Sequence, residues 1–76
     1  MSNPRPLCSG FRTVAGVEYE IQVFSSDEGF AEEVCVNLLL EDGTTSPYEP
    51  TVAEEDVFQA FGQEIYDGWI EAGYEL

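Results

Sequence analysis

The sequence predicts an α+β fold: a three-stranded antiparallel sheet packed against one C-terminal helix. Three features carry the prediction. VEYEIQVF, residues 17–24, alternates apolar and polar side chains, the period of a half-buried antiparallel strand. AEEVCVNLLLED, residues 31–42, repeats that period with β-branched residues. From Thr51 onward, apolar residues recur at helical spacing behind a capping signal.

Taken in order, residues 1–9 form an extended lead-in carrying Pro4 and Pro6. Residues 10–42 hold the strands. Gly10–Val14 is the first, and Ala15-Gly16 makes a tight turn in which Gly16 is free to take a positive φ. In the next strand Val17, Tyr19, Ile21 and Val23 share one face, and Glu18, Glu20 and Gln22 the other. SSDEG, residues 25–29, is a turn or loop. In the third strand Val34, Val36, Leu38 and Leu40 face the core, while Cys35, Asn37 and Leu39 face away. A helix over 30–40 is the competing reading, but the valines and the period of two favour the strand. Asp42-Gly43 ends it, and 43–50 is a loop kept out of regular structure by Pro47 and Pro50.

The helix covers 51–73. Thr51 and Glu54 have the spacing of a capping box, and Glu54, Glu55 and Asp56 suit the positive end of the helix dipole. Val57, Phe58, Phe61, Ile65, Trp69 and Ala72 fill an apolar arc about 120° wide. Gly68 projects onto that arc and suggests close packing on the sheet. Gly62 marks a kink or a break, and Gly73 a stop.

The charge excludes more than it assigns. Sixteen acids stand against two arginines, Arg5 and Arg12, with no lysine or histidine, for a net charge of -14. Such a surface repels nucleic acid and anionic membrane and attracts basic surfaces, an attraction that salt weakens. The longest apolar run, VCVNLLL at 34–40, is too short to span a bilayer. The first ten residues lack the apolar core of a signal peptide, so a cytoplasmic location is expected. Without histidine or lysine, most acid–base and Schiff-base chemistry is unavailable, and no catalytic residue is expected. Cys8 and Cys35 read as two free thiols rather than a disulfide. Two cysteines are too few for zinc, and neither DEG at 27–29 nor EDG at 41–43 extends into a calcium loop. No metal or cofactor is expected.

The candidate site is a set of carboxylates. On a helical projection Glu64, Asp67, Glu71 and Glu75 fall within about 80° of one another, with Asp56 near the same side. Asp56 to Glu75 spans about 28 Å of helix, and a line of unpaired carboxylates of that length imitates a line of phosphates to a basic groove. Glu54 and Glu55 belong to the same helix; Asp27, Glu28, Glu32 and Glu33 form a second cluster, and Glu18 and Glu20 a row on the outer strand face. The competing reading is a solvated acidic face with no specific role, as in a salt-loving organism. Phe30, Tyr48, Tyr66 and Tyr74 are candidate aromatic anchors for a partner; the alternative is that they complete a thin core or make a dimer contact. A monomer is favoured over a dimer as the expected state.

In size, charge and coarse layout the chain resembles small, strongly acidic phage-encoded inhibitors that mimic DNA. Anti-CRISPR proteins, uracil-DNA glycosylase inhibitors and anti-restriction proteins belong to this group, and anti-CRISPR proteins fit best. The resemblance implies an inhibitor in the cytoplasm of an infected bacterial host, with a basic DNA-binding assembly, a CRISPR surveillance complex foremost, as its partner. It carries no signature motif and transfers no site residue. An acidic immunity protein or antitoxin that blocks a basic nuclease is the alternative.

Overall fold

The computed structural model describes residues 5–73. Its element order is β1 (Cys8–Val14), β2 (Val17–Asp27), β3 (Phe30–Leu39), β4 (Thr45–Tyr48) and α1 (Val52–Glu71). The strands form one antiparallel meander in the order β1-β2-β3-β4, and α1 covers one face of it. The α+β class and the single C-terminal helix are as expected, but the sheet has four strands rather than three.

The two hairpins follow from turn chemistry. Ala15-Gly16 and Glu28-Gly29 both place two consecutive residues at positive φ (52° and 82°, 50° and 88°). This is the backbone of the two-residue turn whose twist matches the flanking strands. The second turn is tighter than SSDEG suggested: Ser25, Ser26 and Asp27 belong to β2, across an irregularity in register between Val23 and Ser26. β1 begins at Cys8 rather than Gly10, and the Leu7 N–H donates to the Val23 carbonyl at 2.7 Å. Pro6 is the last residue there without a donor, so pairing starts directly after it.

β4 lies inside the stretch expected to be loop, and it contains Pro47. The reason is directional. Leu40 N–H donates to Thr44 O at 2.8 Å, and antiparallel pairs alternate between bonded and non-bonded. Counting in twos, Pro47 falls opposite Asn37 in a non-bonded pair, so its nitrogen faces the outer edge, where no donor is needed.

The core lies between the sheet and α1. Tyr19, Ile21, Val36 and Phe58 form one buried cluster, and Val23, Ala31 and Tyr66 a second; Val34 packs against both. Ring centroids of Tyr19 lie 5.0 Å from those of Tyr48 and of Phe58, favourable tilted and edge-on contacts. Tyr66 is part of the core and the half-buried Tyr48 packs against it, whereas Phe30 is 69% exposed. Tyr74 lies outside the described residues. Val17 and Leu40, assigned to the core by alternation, are both 40% exposed: Val17 is the first residue of β2, after the turn, and Leu40 lies just past the end of β3. Cys8 and Cys35 are free; burial pushes the Cys8 thiol up, while Cys35 lies exposed on the open face of the sheet.

The helix is unbroken through Gly62, and its buried line is Phe58, Gly62 and Tyr66. That line is turned by about 80° from the apolar arc of the sequence, leaving Val57, Gly68 and Ala72 exposed. Gly62 causes the rotation: a Cβ there would meet Val34 Cγ2 at 2.7 Å, so Val34 fills the notch that the missing side chain leaves. At Gly68 a Cβ would meet nothing within 4 Å. The two glycines therefore respond oppositely to the same change. Gly62→Ala gains about 1 kcal/mol of helix propensity but incurs about 1–3 kcal/mol of overpacking, for a net loss. Gly68→Ala gains about 0.5–1 kcal/mol. Urea midpoints that move apart in these directions bear out the packing; equal gains contradict it.

Candidate functional site: the acidic face of the helix

α1 enters with its first turn tied down. The Thr51 N–H donates to the Glu54 carboxylate at 3.0 Å, and Tyr48 Oη donates to the same oxygen at 2.8 Å. The bond from Thr51, then the Tyr48 hydroxyl, hold Glu54 below the usual carboxylate range. The same carboxylate, foremost, pushes Tyr48 up to about 12. Glu54 is thus occupied in structure and is not part of a free acidic row. The sign of the linkage follows: Tyr48 has a folded pKa above its unfolded value of about 10, so its contribution is full below pH 10 and fades as pH rises towards 12. Tyr48→Phe should lower the urea midpoint at pH 7, with the gap to wild type closing above about pH 10. A gap that stays constant to pH 12 contradicts this coupling.

Beyond the first turn, the face of α1 opposite the sheet carries Asp56, Glu64, Asp67 and Glu71, all exposed. Asp56 to Glu71 spans about 22 Å of helix axis. The sequence predicts an unpaired row, and the structure corrects this: two of its members have partners. Arg12 Nη2 approaches Glu64 Oε1 at 3.4 Å, with its guanidinium carbon 5.8 Å from the Phe61 ring centroid. Both partners are substantially solvated, so the pair is worth about 0–1 kcal/mol and leaves the carboxylate accessible. Asp67 accepts from Gln63 Nε2 at 2.9 Å. Glu75 lies outside the described residues.

Two glutamines of α1 dock the β2–β3 hairpin beside this row. Gln59 Nε2 donates to Ala31 O at 2.6 Å, the Ala31 N–H donates to Gln63 Oε1 at 2.8 Å, and Gln63 Nε2 donates to Gly29 O at 3.0 Å. A primary amide offers one acceptor and two donors, so these side chains take the place of a neighbouring strand along the edge of β3. They hold the β2–β3 hairpin against the helix flank, with Gln63 bound to Gly29 and Ala31 on one side and to Asp67 on the other; the hairpin also carries Asp27, Glu28, Glu32 and Glu33. All four are exposed, with Glu32 accepting from Ser25 Oγ at 3.3 Å. The glutamines were missed because they read as ordinary surface residues; their spacing of four beside an apolar line was the available signal.

Glu18 and Glu20 occupy the uncovered face of the sheet, where Asn37 Nδ2 donates to Gln22 at 2.9 Å and Glu20 at 3.4 Å. Both cationic side chains belong to the β1 side, Arg12 within the strand and Arg5 before it. Among the described residues no group of three or more acids and cysteines is arranged to hold a metal ion, and no helix is long and apolar enough to cross a membrane. Comparison with protein-family models, curated proteins and solved structures yields no match.

Proposed function

We propose that this protein is an inhibitor that occupies a basic nucleic-acid-binding groove by imitating the charge of DNA, with a CRISPR surveillance complex as its target. The observation that carries the reading is the one-sided row of exposed carboxylates on α1. The exposed face of α1 presents Asp56, Glu64, Asp67 and Glu71 in one row, and the ion pair it makes among the described residues, Arg12 with Glu64, is solvated and leaves the carboxylate accessible. A groove lined by arginine and lysine meets in this row what it meets in a phosphate backbone. The docked helix adds to the effect: 20 residues packed on the sheet fix the backbone positions of the carboxylates before binding, so only their side chains are ordered on contact. No chemistry is needed, because blocking requires only occupancy.

The test is binding to a purified surveillance complex across a salt series. Affinity should fall by at least about tenfold between 50 and 200 mM salt. Salt-insensitive binding, or none, overturns the reading. Binding instead to a basic nuclease encoded beside this chain transfers the same face to the immunity-protein alternative.

A further inference from the structure

The far edge of β3 is covered at both ends and open between. β4 pairs with Val36–Leu39 and stops at Tyr48. At the other end Gln59 and Gln63 take the main-chain groups of Ala31. Among the described residues no strand lies beside 32–35 on that side. The direction of the main chain there is fixed by β1: the Leu7 N–H reaches the Val23 carbonyl, so Val23 turns its peptide groups away from β3. Val34, its partner across the ladder, must then turn its own N–H and C=O to the open edge.

Two cavities flank this point, and both are lined by Val34, Val36 and Pro50. One, of about 670 Å³, opens on the uncovered face of the sheet and reaches Glu49. The other, of about 390 Å³, lies between the edge and α1. Its floor is Val34, Val36 and Phe58, and its rim is Glu55 and Asp56. An apolar floor under an acidic rim fits a side chain with an aliphatic stem and a cationic head. Both cationic side chains of the protein belong to the opposite edge of the sheet, so none of its own competes for the place.

We propose that the β3 edge at Val34 accepts an extended basic segment of the partner protein as an added strand, with an arginine seated between the edge and α1. Main-chain bonds to Val34 would supply affinity, and the arginine head at Glu55 and Asp56 the selection for basic sequence. The proposal rests on the partner being basic and not on the partner being a surveillance complex.

The probe is a fluorescent seven-residue peptide of alternating valine and arginine, compared with its fully N-methylated form, which keeps the charge and cannot donate to a strand. Binding to the wild-type protein should weaken by at least about tenfold on N-methylation, and equally in the double variant Glu55→Lys, Asp56→Lys. Hydrogen exchange at the Val34 amide should slow in the complex. Equal binding of the methylated peptide, or an unchanged Val34 amide, overturns the proposal. So does binding lost in Glu64→Lys, Asp67→Lys, Glu71→Lys but kept in the Glu55 and Asp56 variant. Strand addition by the peptide in a protein that leaves surveillance complexes untouched overturns the proposed target and keeps this site.

Discussion

Phe58→Ala should remove about 3–5 kcal/mol of stability, the usual range for a fully buried aromatic. Phe58 is 2% exposed and stands where three elements meet, against Tyr19 of β2, Tyr48 of β4 and Phe61 of its own helix. Its loss also loosens Tyr48, whose hydroxyl holds Glu54 and with it the start of α1. A chain of 76 residues carries about 4–11 kcal/mol in all, so this variant should be largely unfolded at modest urea. Phe30→Ala removes an equally large ring that is 69% exposed, and should shift the midpoint by less than about 0.5 kcal/mol. Comparable losses at the two positions would contradict the division between core and surface.

The triple variant Glu64→Lys, Asp67→Lys, Glu71→Lys should lose target binding by about a hundredfold or more, since like charges placed opposite a basic groove cost several kcal/mol. The three positions share the exposed face of one helix, and none of them contributes to the buried clusters. The necessary control has the same net charge. Reversing Glu18, Glu20 and Glu41 also adds six units to -14, giving -8, but away from the helix. This control should bind within a few-fold of wild type. If both triples lose binding equally, net charge rather than the helix face is responsible. The urea midpoint of each, measured alongside, separates lost contact from lost fold.

The strand face of Tyr19, Ile21 and Val23 was legible because alternation speaks directly for a half-buried strand, and the start of α1 because Thr51 and Glu54 sit at capping-box spacing. β4 was not legible: Pro47 argues against a strand until its register shows that the missing donor faces outward. The buried face of α1 was misplaced for a related reason. Gly62 has no apolar side chain to count, yet it is the point of closest approach because Val34 supplies the volume. The acidic row was visible as an angular cluster, while the docking of the β2–β3 hairpin beside it depended on Gln59 and Gln63, whose role appears only once Ala31 stands beside them.

The claim that the acidic helix face stands in for DNA is tested most directly by competition. A purified CRISPR surveillance complex is loaded with a labelled target duplex and titrated with this protein, and the order of addition is then reversed. Occupancy of one groove predicts mutual exclusion: the protein displaces the duplex, a preformed complex with the protein refuses it, and the Glu64, Asp67, Glu71 variant does neither. A stable assembly holding duplex and protein together would contradict the account.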